Sequence, residues 1–127
     1  DGRFGHWMRL DGPLAKLAPV RGGREVDVEV TPSQGWPEPS APPDWSDALS
    51  SAPEAVRKLW TAITPMARWE WVRWIDATKN PATRARRVEV GISKLSAGKR
   101  RPCCFNLASC TDPDLTKNGE LIVSGEE

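Results

Sequence analysis

Three cysteines, a single histidine and a dense run of basic residues are the side chains with which this 127-residue chain could do chemistry. A cysteine nucleophile needs a base oriented within hydrogen-bond reach of its thiol, and the only histidine, His6, lies in the least complete part of the chain. A zinc site needs four ligands, commonly in paired spacings of two to four residues; Cys103, Cys104, Cys110 and His6 make an awkward set. No metal and no cofactor are therefore expected. An odd number of cysteines, two of them adjacent, suits reduced thiols better than a secreted disulfide framework. Gly2 with Gly5, or Gly22 with Gly23, lack the strand context, spacing and lysine of a phosphate-cradling loop. Asp112 and Asp114 stand in a turn-rich tail, where a solvated surface suits them better than acid/base work. No catalytic residue is assigned, and the chain does not read as an enzyme. A thiol-based redox protein at Cys103 and Cys104 is the third reading.

The basic run is the stronger functional candidate. Residues 79 to 101 hold eight Lys or Arg (Lys79, Arg84, Arg86, Arg87, Lys94, Lys99, Arg100, Arg101) against one acid, Glu89. The local balance of +7 within a net charge of +1 leaves −6 for everything else, since +1 minus +7 is −6. On a helical wheel Arg86, Arg87 and Lys94 lie opposite an apolar stripe of Ala85, Val88, Ile92 and Leu95 and should face solvent. Arg84 flanks that stripe and reads as structural, paired with Asp76 or another acid at a helix interface. The outer set, extended by Lys99, Arg100 and Arg101, could receive an anionic partner, or could serve only as a solvated face. Base-reading Asn and Gln are lacking on this helix, so nucleic-acid binding through it would be weak and indifferent to sequence.

Helices and a strand must position these groups. Three amphipathic helices are expected between Pro53 and Gly98, with stripes Val56, Leu59, Trp60, Ile63, then Trp71, Trp74, Ile75, Thr78, then Ala85, Val88, Ile92, Leu95. Pro53, Thr64-Pro65 and Asn80-Pro81 mark their starts, and Gly98 suits a C-terminal cap. Asp44 to Ser50 could add a short leading helix. On the second helix Glu70, Arg73 and Asp76 should face away from the core. Trp69 lies nearly opposite Trp71 and Trp74, so it needs a separate neighbour or a partner. Upstream, the stretch Arg24 to Val30 alternates, with Val26, Val28 and Val30 on one side and the charges Glu25, Asp27 and Glu29 on the other, the pattern of a half-buried strand. Its partners would lie in residues 1 to 10, upstream of Asp1, or on another chain. Leu14 and Leu17 suit one helical turn. Thr31 to Pro43 carries five prolines and no basic residue, the composition of a semi-rigid connector onto which Trp36 should be pinned by one of the modules. Past Gly98, Asp112-Pro113 reads as a turn and Leu121-Ile122-Val123 as an edge strand or docking segment.

Length allows one ordinary domain or two very small ones. No stretch approaches the ~20 apolar residues of a membrane-spanning helix, and no signal-peptide pattern opens the sequence, so a cytoplasmic location is expected.

The run Trp69 to Arg101, with Ile75, Lys79, Thr83, Arg84, Arg86, Arg87, Gly98, Lys99 and Arg100 in their helical context, resembles the signature stretch of the YdeI/OmpD-associated (OmdA-like) family. Cys103-Cys104-Phe105 is similar to what some members carry next, and residues 4 to 31 are similar to the closing part of a small β-barrel domain in one branch. Asn106 stands where that family has an acid, and the earlier barrel strands are absent from a sequence that begins at Asp1. The resemblance implies an α+β protein in which a short β segment, part of a small barrel, precedes a compact three- to four-helix module. The expected division is residues 1–31 as barrel end, 32–43 as linker, 44–101 as helical module and 102–127 as irregular tail. It also implies a bacterial, non-enzymatic interaction or stress-tolerance protein of the bacteriocin-protection or porin-associated type. The partner would be a protein or an anionic envelope component, met by Arg86, Arg87, Lys94, Lys99, Arg100 and Trp69, while Lys79, Thr83 and Arg84 serve structure. The alternative is a weak nucleic-acid-binding module using the same helix. Oligomeric state is open.

Overall fold

The structure is a computed structural model that describes residues 5–10, 12–17, 22–103 and 109–122. Its described elements are α1 (Gly12–Leu17), α2 (Pro43–Ser51), α3 (Glu54–Ala62), α4 (Pro65–Asp76) and α5 (Pro81–Ser96), followed by two-residue strands β1 (Thr116–Lys117) and β2 (Glu120–Leu121). Proline opens every packed helix. It stands at the first helical position of α2, α4 and α5 and immediately before α3, where its missing N–H would find no helical partner in any case. Thr64 Oγ1 accepts from the Ala67 N–H, and Asn80 Oδ1 accepts from the Thr83 N–H, so α4 and α5 begin with a side-chain cap as well. At the far end of α5, Gly98 adopts φ +81, and its N–H closes on the Leu95 carbonyl.

α5 packs against α2, α3 and α4, and α2 against α3, around a core built on tryptophan. Trp45 and Trp71 are fully buried and stacked, centroids 6.0 Å apart at 14°. Trp60 meets Trp45 nearly perpendicular at 5.6 Å, and Trp74 meets Trp71 likewise at 6.0 Å. Such offset and edge-on pairs suit the aromatic quadrupole, and each ring removes far more apolar area from water than an aliphatic side chain would. Val56, Ile63, Ile75 and Leu95 fill the space around them. Gly91 belongs to the same design. A Cβ there would lie 2.8 Å from Trp45 Cζ3 and 2.9 Å from Cη2, so only glycine admits the ring.

The wheel for α5 therefore needs one revision. Ala85 is exposed, and the buried line runs through Gly91 and Leu95 with Val88 and Ile92 half-buried beside it, because the Trp45 ring, not a methyl group, makes the contact. Glu70 is also corrected: it is 5% exposed rather than outward. The chain after α5 folds back across α4, where the Arg100 carbonyl accepts from Trp71 Nε1 at 3.0 Å and the Pro102 carbonyl from Lys94 Nζ at 2.7 Å. That return covers Glu70 and sets Arg101 Nη1 3.3 Å from its carboxylate.

Upstream the outcome differs from the alternating pattern. Residues 24–30 form no strand, and Val26, Val28 and Val30 are all exposed. A ladder needs a second edge, and no described segment supplies one to this stretch; the barrel is accordingly not among the described elements. Trp36 is 49% exposed, since the connector is held instead by its neighbours: Trp69 Nε1 donates to the Pro37 carbonyl at 2.6 Å, and Arg68 grips Glu38 with Nε and Nη2 at 2.5 and 2.8 Å. The strands fall at 116–121, an antiparallel hairpin turned by Asn118 at φ 53 and Gly119 at φ 81. Both are left-handed, as the hairpin turn type with the favoured twist requires. Asp112-Pro113 does begin a turn, with the Leu115 and Thr116 N–H groups on the Asp112 carbonyl. Cys104, Phe105, Asn106 and Val123 lie outside the described residues.

Candidate functional site

The eight cations of residues 79–101 do not share one fate. Arg84 is a hub. Its Nε and Nη2 fork onto Asp44 at 2.5 and 3.1 Å, Nη2 also reaches Asp76 at 2.8 Å, and Nη1 donates to the Ile75 carbonyl at 3.3 Å. One guanidinium thereby joins the start of α2, the end of α4 and the first turns of α5, a use for which its planar fork suits it better than a lysine. The Arg84 hydrogen bond, seconded by the Trp45 N–H, holds the Asp44 carboxyl below its ordinary 3.8, and the Asp44 bond in turn raises Arg84. Lys79 pairs with Asp114, and Thr83 donates its hydroxyl to the Asn80 cap. Arg101 is set against Glu70.

Arg87 and Lys94 were expected to face solvent, and both are instead half-buried on α4. Seven residues apart, they lie on one face of α5, and the Trp74 ring is flanked by both: Arg87 Cζ is 5.6 Å and Lys94 Nζ 5.5 Å from its centroid. Each also donates to a carbonyl, Arg87 to Trp74 at 2.6 Å and Lys94 to Pro102. The long stems lie along apolar surface while the heads find backbone acceptors. What remains exposed, with no ion pair among the described residues, is Arg86 on α5 with Lys99 and Arg100 beyond its end. Trp69, the remaining candidate, is half-buried, its indole N–H committed to Pro37.

A cleft of about 330 Å³ opens where the end of α4, the start of α5 and the segment 110–112 meet, lined by Arg73, Asp76, Lys79, Arg84, Cys110, Thr111 and Asp112. Sequence reasoning did not find it, because its far wall comes from an irregular segment some thirty residues away with no periodicity to place it. Burial pushes the Arg73 guanidinium below its ordinary value, opposed by the nearby Cys110, and Arg73 donates to the Ser109 carbonyl. The cleft is largely satisfied from within: Asp76 by Arg84, Lys79 by Asp114, and Asp112 by Arg9 at 3.3 Å. Cys103 is exposed and Cys110 half-buried. Among the described residues no group of three or more His, Cys, Asp or Glu side chains is placed to hold a metal ion.

These features define a small helical module that ties its own ends and linker down with arginine forks and leaves a few cations outward. No described helix is long and apolar enough to cross a membrane. Residues 38–98, which span all four packed helices, match the family model OmdA, described as Bacteriocin-protection, YdeI or OmpD-Associated, the same family that the run Trp69 to Arg101 resembles. No curated protein and no solved structure matches the chain.

Proposed function

We propose that the helical module is a cytoplasmic, non-enzymatic binding module of the bacteriocin-protection kind, which holds an acidic protein surface against Arg86, Lys99 and Arg100. The match of residues 38–98 to the OmdA family model supports the protective role. The observation that carries the choice of surface is the division of the cations. Arg68, Arg84, Arg101 and Lys79 are engaged by acids of the same chain, whereas Arg86, Lys99 and Arg100 keep theirs open to solvent. Arg87 and Lys94 border the patch but act mainly in holding Trp74. A free charge that steers a partner contributes to association rate and selectivity without destabilising the fold when it is reversed.

The test is capture from a native lysate by the protein and by its Arg86→Glu, Lys99→Glu, Arg100→Glu variant, at low and at high salt. The expected result is a protein partner retained by the parent, released by salt and absent with the variant, whose circular dichroism is unchanged. Recovery of nucleic acid instead, with affinity falling by a log–log salt slope of about −0.9 per duplex phosphate contacted, would replace this reading with the nucleic-acid one.

A further inference from the structure

We infer that the groove between α2 and α3 is a binding site for a sugar acid, a pyranose ring bearing a carboxylate. It stands apart from the basic patch, which belongs to α5 and the segment after it. Two shallow clefts of about 250 and 220 Å³ meet there, with Trp60 and Thr61 in the lining of both. Ala41 and Leu49 add apolar wall to the first, and Glu38 and Arg68 close the second. Each falls below the ~300 Å³ at which ligand pockets usually begin, the scale of a single ring and not of a larger molecule. The polar groups of the groove divide by what they have left to give. Ser50 Oγ donates to the Ser46 carbonyl at 2.9 Å and Thr61 Oγ1 to the Arg57 carbonyl at 3.1 Å, so each hydroxyl has spent its proton and offers lone pairs alone. Arg57 is the reverse case. Its one side-chain hydrogen bond among the described residues is long, Nη1 to the Ser50 carbonyl at 3.4 Å, and it makes no ion pair with them, which leaves an exposed guanidinium with most of its N–H groups unspent. The Trp60 indole N–H likewise enters no hydrogen bond among the described residues, whereas those of Trp69 and Trp71 donate to the Pro37 and Arg100 carbonyls.

Charge and hydrogen-bond polarity select the ligand. In the second cleft Arg68 covers both oxygens of Glu38 at 2.5 and 2.8 Å, so that acid is neutralised and Arg57 sets the sign of the groove. A planar guanidinium fork with an indole N–H beside it matches a carboxylate, which accepts two bonds in one plane. The acceptor oxygens of Ser50 and Thr61 call for hydroxyl donors on the same ligand. The half-buried Trp60 ring supplies an apolar wall for the C–H face of a sugar. A hydrocarbon acid would leave the hydroxyl oxygens unmatched, and a neutral sugar would leave Arg57 so. A sugar acid answers both.

The experiment titrates the whole chain, labelled with ¹⁵N, with methyl glucuronide, and separately with methyl glucoside and cyclohexanecarboxylate, each of which lacks one half of the recognition. Methyl glucuronide is expected to bind saturably with Kd below about 10 mM, shifting the Trp60 indole signal and the amides of residues 46–61. Both partial analogues should bind at least about tenfold more weakly. Arg57→Gln should erase the preference for methyl glucuronide over methyl glucoside. Thr61→Val should weaken methyl glucuronide about threefold and keep that preference. Both side chains are exposed, so circular dichroism should be unchanged in either variant. A disaccharide of the same acid distinguishes the source: tighter binding, through the second cleft, assigns the end of a glycan, and equal binding a free sugar acid. Equal binding of either partial analogue would reduce the effect to charge or to ring contact alone and overturn the inference. So would absence of saturable binding, shifts centred on Arg86, Lys99 and Arg100, or an undiminished preference in Arg57→Gln.

Discussion

Replacing Arg84 by alanine removes two carboxylate pairs and a carbonyl bond at once, and the size of the loss follows from how exposed the pairs are. The Arg84 side chain is 23% exposed, Asp44 40% and Asp76 51%, so neither pair is buried and each contributes on the scale of a surface pair with good geometry, ~0.5–1 kcal/mol. The bond to the Ile75 carbonyl adds about 1 kcal/mol. The expected total is about 2 kcal/mol, a fall in Tm of roughly 10 °C for a domain of this size. Lysine at this position should restore less than half, because it cannot fork onto Asp44 while also reaching Asp76 and the carbonyl. The pH dependence has a definite sign. Asp44 is held below its ordinary 3.8 chiefly by Arg84, so its contribution is complete above that value and is lost as pH falls through the depressed one. Thermal melts of parent and variant should therefore differ most near neutrality, and the gap should narrow in strong acid toward the share of the carbonyl bond, which does not titrate. A loss below about 0.5 kcal/mol, or a gap that does not narrow in acid, would refute the reasoning.

Gly91→Ala tests the close approach of α5 to Trp45: helix propensity alone would favour alanine by about 1 kcal/mol, yet the Cβ would stand 2.8 Å from a fully buried ring, so a net loss of about 1–3 kcal/mol in denaturant unfolding is expected. At Gly98 the left-handed backbone makes alanine cost about 1 kcal/mol, read as a modest drop in Tm with helical content preserved. Elemental analysis after chelator-free purification is expected to find no stoichiometric zinc, and one zinc per chain would overturn that expectation.

The helices were legible because their signals are local. Prolines and caps at Pro53, Thr64-Pro65 and Asn80-Pro81 stand within a turn of the observed starts, and the stripes through Val56, Ile63, Trp71, Ile75 and Leu95 fall on core residues. A further local signal, Asn118-Gly119, was open to the same reading and marks the only described hairpin. Burial of Glu70 was not legible, since it depends on where the chain goes after α5 has ended. The same holds for the cleft, whose wall at Cys110 to Asp112 is brought to α4 by tertiary contacts alone.

The charge reading shows the limit most clearly. A local balance of +7 invites the picture of a broad cationic face, but a sum over sequence counts charges without their partners. In the folded chain Lys79 meets Asp114, Arg84 meets Asp44 and Asp76, and Arg101 meets Glu70, all acids drawn from outside residues 79–101. Arg87 and Lys94 turn toward an indole and two carbonyls. The field offered to a long polyanion is set by the remaining Arg86, Lys99 and Arg100 and is opposed by the acidic balance elsewhere, which favours a compact acidic patch on a protein over a nucleic-acid backbone.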